Sequence, residues 1–197
     1  MEKVLKNSLV RKIVYVAIVF VLTVVDQITK QLVVAHIMPQ GSVPLIKFGD
    51  TEVLNLTYCE NTGMSFSLLE GQRIILIALP VILIIGVTVI VFMEKLCSKR
   101  TDMMIALAAL AGGGLGNLID RVFQGYVVDF IDVRIINFAI FNFADICAVC
   151  GGIYFGIMLA VDEIKEDKEK KAAKNSEVTA LSENVGQADD LNKDEQA

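Results

Sequence analysis

Four long apolar runs punctuate the chain, at roughly 13–35, 72–93, 102–119 and 141–161, separated by more polar stretches. At about 1.5 Å per residue each run reaches about 25–35 Å, close to the thickness of a bilayer's hydrocarbon core, so each predicts a membrane-spanning helix. The third is the shortest and is expected to end inside the outer interface. Residues 36–71 have a different texture. "EVLNLTYCENTGMSFSLL" is rich in β-branched and aromatic residues, with turn chemistry at Glu60–Gly63, and predicts short strands around a turn. Beyond Ala160 the sequence carries mixed charge and almost no apolar surface, which predicts a helix extension fraying into disorder. The expected fold class is mainly α: an integral membrane protein of four transmembrane helices, with a small β-rich segment at about 37–71 between helices 1 and 2. Residues 1–161 form the membrane domain and 162–197 a charged tail.

Orientation follows from the basic residues. Lys3, Lys6, Arg11 and Lys12 precede the first run, Lys95, Lys99 and Arg100 lie between the second and third, and Lys165, Lys168, Lys170, Lys171 and Lys174 follow the fourth. The opposite side has Lys47, Arg73, Arg121 and Arg134 over a longer combined length. The positive-inside rule therefore places both termini in the cytoplasm and the β-rich segment outside. The first run begins like a signal peptide, but no small-residue cleavage site follows and "DQITKQLVV" continues the helix, so it is retained as a span.

Composition agrees. Of 197 residues 54% are hydrophobic and the mean hydropathy is +0.59, too apolar for an ordinary soluble domain. The net charge of -5 gathers largely in the tail, and no extended basic surface is offered to nucleic acid. A single histidine, His36, argues against a histidine-rich metal site and is expected to stay wet at the outer interface. No H-E-x-x-H zinc motif is present, and neither metal nor cofactor is expected. The four cysteines form no framework: Cys59 falls in the outer segment and Cys97 in an inner loop. Cys147 and Cys150, though spaced C-x-x-C, read as two soft side chains on one face of a buried helix.

Against this background two acids stand out, Asp129 in "YVVDFIDV" and Asp145 in "FNFADICAV". A carboxylate at the bilayer centre costs about 2.5–3.5 kcal/mol, so an intramembrane acid is a functional candidate. The third span runs outward and the fourth starts at the outer face, so both acids converge on the outer interface. Two close carboxylates cannot both ionise cheaply. One shared proton gives the split state that amide hydrolysis needs, one acid taking a proton from water and the other feeding the leaving nitrogen. On residue chemistry alone, each acid can equally cap a helix end or pair with an arginine, as Asp120–Arg121 and Asp132–Arg134 invite. Asp26 and Lys30 stand at i, i+4 in the favourable order and predict an ion pair, with Lys30 snorkelling outward. Ala108, Gly112 and Gly116 have the small-xxx-small spacing of close helix packing. Asn117 needs partners and can orient a carboxylate or a substrate backbone. A serine–lysine pairing of Ser65 or Ser67 with Lys30 is conceivable but not demanded by spacing. A proton- or ion-translocating subunit, or a lipid-binding assembly factor, remain the non-enzymatic alternatives. The clustering of polar residues at one end of the spans favours a site over a channel.

Taken together, "DQITK", "NTGMSFSLL", "GGGLGNLIDRVFQGYVVDFIDV" and "FNFADICAVCGG" resemble, in order, the motifs of the lipoprotein signal peptidase (signal peptidase II) family, membrane aspartyl proteases. The resemblance covers most of residues 20–155. It implies that Asp129 and Asp145 are the catalytic pair, and that Asp26, Lys30, Asn61, Gly63, Asn117, Arg121, Asn142 and Ala144 support the site or the substrate. It implies an extracytoplasmic β-cradle and an active site at the outer face of the bacterial cell (inner) membrane. The implied substrates are prolipoproteins, cut before a diacylglyceryl-modified cysteine, with membrane lipid as the other partner and a monomeric enzyme. Met64-Ser65 departs from the small alanines common there.

Overall fold

In the computed structural model the described residues are 8–63, 72–93, 100–136 and 138–194, with side chains described as far as 172. The apolar runs become helices α1 (Ser8–His36), α2 (Arg73–Phe92), α3 (Thr101–Phe123) and α4 (Phe143–Asp194). Ser8–His36, Arg73–Phe92, Thr101–Phe123 and the Phe143–Ala172 stretch are each long and apolar enough to cross a membrane. Between α1 and α2 lie a short 3-10 turn, Met38–Gln40, and strands β1 (Ser42–Phe48) and β2 (Thr51–Asn61). The chain divides into two units, Met1–Phe155 and Gly156–Ala197. The contacts described below lie within the first.

The third helix is not the short one. It runs on to Phe123, past the apolar limit at 119, because Asn117, Asp120 and Arg121 find polar partners inside the protein rather than in water. It is also the central helix: 56% of its apolar window is buried, against 17% in each of the other three. Its small residues permit this. A Cβ on Gly112 would stand 3.1 Å from Leu22 Cβ, and one on Gly113 would stand 2.8 Å from the Ala148 nitrogen. So Gly112 admits α1 and Gly113 admits α4, on different faces of one helix.

Helix α1 is patterned inside-out. Its buried positions are Arg11, Tyr15, Thr23, Asp26, Lys30 and Val33, a mostly polar stripe at helical spacing. Leu9, Ile13, Phe20, Ile28 and Leu32 on its other faces are exposed, as side chains that meet lipid should be. The stripe is tied to its neighbours by Tyr15 and Thr88 hydroxyls at 3.0 Å and by Thr23 Oγ1 donating to the Gly112 carbonyl at 3.3 Å.

The β structure extends beyond residues 37–71. A third strand, β3 (Val127–Val133), comes from the α3–α4 connection and pairs antiparallel with β2, giving the order β1-β2-β3. "VVDFIDV" is β-branched or aromatic at five of its seven positions, as suits a strand covered on both faces. Val128 and Phe130 point into a cluster with Val33, packed by Leu56, Tyr58 and Phe143, which seats the sheet on α1 and α4. In register, Cys59 faces Asp129 and Asn61 faces Val127.

Three other expectations are corrected. Lys30 does not snorkel: its side chain is 4% exposed because three acceptors surround it. Asp120 pairs with Lys30 rather than Arg121, whereas Asp132 does meet Arg134, at 2.8 Å. Cys147 is half-buried and Cys150 exposed, so they do not line a buried helix; α4 is peripheral and turns one side outward. His36 is exposed at the C-terminal end of α1. Expectations about Met64, Ser65, Ser67 and Cys97, and about Lys3, Lys6, Lys95 and Lys99, fall outside the described residues.

Candidate active site

Helix α4 starts with a reciprocal cap. The Asp145 nitrogen donates to Asn142 Oδ1 at 3.0 Å, and the Asn142 nitrogen donates to Asp145 Oδ2, also at 3.0 Å. This is the capping-box arrangement, with the acid three residues inside the helix, where the free N–H groups and the helix dipole favour negative charge. The other Asp145 oxygen, Oδ1, accepts from Asn117 Nδ2 at 2.8 Å. Asp145 is thus aimed by two helices at once.

Asp129 is aimed by the sheet. Its Oδ2 accepts from Asn61 Nδ2 at 2.8 Å, across the β2–β3 ladder, and its Oδ1 accepts from Asn142 Nδ2 at 2.6 Å. Asn142 therefore touches both acids: its Nδ2 donates to Asp129, while its backbone nitrogen donates to the Asp145 carboxylate and its Oδ1 accepts from the Asp145 nitrogen. Asn61 is held in turn: its Oδ1 accepts from the Gly63 nitrogen at 3.0 Å, and the Gly63 carbonyl accepts from Arg121 Nη2 at 2.9 Å.

On the α1 side, Lys30 Nζ lies 2.8 Å from Asp26 Oδ2, from Asp120 Oδ2 and from Asn117 Oδ1. Asp26 Oδ1 accepts from the Ala144 nitrogen at 3.0 Å. All ten residues singled out from the sequence thus join one hydrogen-bonded network. Asp120 and Gln27 belong to it and were missed. A signal for Asp120 existed: Gly116, Asn117, Asp120 and Arg121 fall within about one and a half turns, close to one side of α3.

Asp129 and Asp145, with Asn61, Asn117 and Arg121, line one end of a cavity of about 250 Å³. Its remaining wall is apolar, from Leu79, Pro80 and Leu83 of α2, Leu110 of α3 and Ile140 before α4. Pro80 cannot donate to the carbonyl four residues earlier, which loosens α2 beside the cavity. Asp129 is only 2% exposed. Burial pushes its carboxyl up to about 6, against the hydrogen bond from Asn61, and the neighbouring Asp145 adds to the rise. Among the described residues no three His, Cys, Asp or Glu side chains are grouped to hold a metal ion.

One buried acid, Asp129, and one half-buried acid, Asp145, joined by an asparagine at the polar end of an apolar cavity, suit the hydrolysis of a bond that approaches from lipid. The family model of signal peptidase (SPase) II matches residues 18–161. The chain belongs to this family. Lipoprotein signal peptidases from two bacteria show the extent of the likeness. That of Halalkalibacterium halodurans is 41% identical over 162 residues, covering 81% of this chain and 99% of the relative. That of Caldanaerobacter subterraneus is 42% identical over 145 residues, covering 73% and 94%. A solved bacterial membrane enzyme, 33% identical, superposes with a TM-score of 0.68 over 76% of this chain and 89% of its own. The protein is therefore a membrane-integral peptidase of the signal peptidase II family.

Proposed function

We infer that the protein is an aspartyl endopeptidase that removes signal peptides from lipid-modified prolipoproteins, cutting before the diacylglyceryl cysteine. The substrate class is suggested by the relatives named lipoprotein signal peptidase. The observation that carries the mechanism is the placement of Asp129 and Asp145, bridged by Asn142, at the polar end of the apolar cavity. Asp145, receiving donors at both oxygens and seated at a helix N-terminus, acts as the base that takes a proton from water. Asp129, which holds its proton up to about 6, polarises the scissile carbonyl and then protonates the leaving nitrogen. No covalent intermediate and no metal is involved. Arg121 and Asn117, on the cavity wall, hold substrate backbone or the acids in register.

The substrate's apolar signal helix enters laterally from the bilayer, and its diacylglyceryl chains stay in lipid or along an apolar wall, adding binding energy remote from the reacting bond. In this reading the enzyme works as a monomer in the cell (inner) membrane, with both termini cytoplasmic and the active site at the outer face. Residues 1–161 form the peptidase domain and 162–197 a charged cytoplasmic tail.

The test is cleavage of a lipidated precursor by the purified protein, assayed beside Asp129→Asn and Asp145→Asn. Wild type yields two fragments, and each variant stays folded but loses turnover. Near-normal cleavage by either variant would overturn the dyad, as would chelator inhibition that added zinc reverses. Asp132→Asn is expected to be much milder, since Asp132 is engaged by Thr57 and Arg134, each at 2.8 Å, on the far side of β3 from the cavity.

A further inference from the structure

Behind the two acids, on the α1 side of Asn117, lies a second polar cluster that the hydrolytic reading does not use. The Lys30 ammonium has three N–H bonds and meets three acceptors at 2.8 Å: Asp26 Oδ2, Asp120 Oδ2 and Asn117 Oδ1. Both carboxylates are fixed from behind. Asp120 Oδ1 accepts from Gln27 Nε2 at 2.9 Å, and Asp26 Oδ1 accepts from the Ala144 nitrogen at 3.0 Å. Side-chain exposures of 4% for Lys30 and 1% for each acid show that the cluster is buried.

Such a cluster is a poor device for stability alone, because removing charge from water costs as much as the pairing returns. Its position suggests another use. Asn117 is an amide with an oxygen on one side and a donor on the other. Lys30 Nζ and Asn142 Nδ2 both donate to that oxygen, at 2.8 and 3.0 Å, so a flipped amide would set its NH₂ against two donors. The unflipped amide puts Nδ2 on Asp145 Oδ1 at 2.8 Å.

We propose that Asp120 is a positioning residue of the hydrolytic site: together with Asp26 it pins the Lys30 ammonium on the Asn117 carbonyl, and so fixes the amide orientation in which Asn117 donates to Asp145. The proposal rests on the dyad reading above. It is distinct from a through-space effect of the Asp120 charge, which would reach the acids whether or not Asn117 were present.

A double-mutant cycle on the full-length protein separates the two. Asp120→Ala and Asp120→Asn are assayed on a lipidated precursor, alone and in an Asn117→Ala background, with thermal unfolding measured beside them. Asp120→Ala is expected to lower kcat by about 10- to 100-fold, with KM changed by less than about twofold. In the Asn117→Ala background the same change should cost less than about twofold further. Where Asp120→Ala does not fold, Asp120→Asn and Gln27→Leu, which disturb the same clamp, take its place in the cycle with a smaller loss in the same direction. An equal loss in both backgrounds, a change in KM alone, or a lowered unfolding temperature with kcat intact would overturn the proposal. Turnover that survives Asp145→Asn overturns the dyad reading and this proposal with it. Loss at Asp145→Asn together with an additive Asp120 effect overturns this proposal only.

Discussion

At the scale of single residues, the site depends on what surrounds each acid. Asp129 in the fold gives up its proton near 6 rather than 3.8, chiefly because it is buried. The proposed mechanism uses Asp129 in its protonated form, which is lost as pH rises through about 6, so the alkaline limb of kcat/KM should begin there. The same shift acts on stability. Protonation of Asp129 favours the fold, an advantage fully present below about 4 and lost as pH rises through 6. Asp129→Asn removes the ionisation, so its unfolding temperature relative to wild type should be higher at pH 8 than at pH 4. The difference corresponds to at most about 3 kcal/mol. Equal effects at both pH values would show that ionisation of Asp129 does not strain the fold. Asp132 was distinguishable from Asp129 in the sequence only through the resemblance. In the structure they differ by strand alternation, one facing the cavity and the other facing Thr57 and Arg134.

At the scale of elements, helix starts and close helix contacts do the positioning. The α4 cap sets Asp145, and Asn142 that forms it also reaches Asp129 at 2.6 Å. Asn142→Ala should lower stability by about 1 kcal/mol as a lost cap and lower kcat far more than a cap loss elsewhere; cleavage rate and thermal unfolding measured together check this. The α1–α3 contact leaves no room at Gly116, where a Cβ would stand 2.9 Å from Asp26 Cγ and 3.3 Å from Ala144 Cβ. Gly116→Ala is expected to cost about 1–3 kcal/mol by overpacking. Gly86→Ala on α2, where a Cβ meets nothing within 4 Å, should be neutral or favourable by up to about 1 kcal/mol. Unfolding in detergent ranks the two, and a harmless Gly116→Ala would mean that α1 and α3 sit less closely. The four helices were readable as apolar runs, and β2 as a β-branched stretch. The strand β3 was not read as one. Its seven residues are apolar enough to pass for membrane, and only pairing with β2 distinguishes the two.

At the scale of the whole molecule, orientation can be checked directly. In a background lacking the native cysteines, Lys47→Cys on β1 should react with a membrane-impermeant maleimide in intact cells, and Lys168→Cys only after permeabilisation. The reverse pattern would invert the topology and place the acids at the inner face.

The sequence by itself determined the number of spans, because that rests on local composition, apolar run length against bilayer thickness; the side on which lysine and arginine gather supplies the expected direction that the labelling experiment tests. Through ordered motifs it also pointed to the residues of the site. Only the tertiary structure decided which partner each polar group took. Lys30 turns inward, Asp120 takes Lys30 rather than the adjacent Arg121, and Asn142 bridges two acids from different elements. The reason is physical: a side chain excluded from water must satisfy its hydrogen bonds within the protein, and its partners become known only once helices far apart in sequence are packed together.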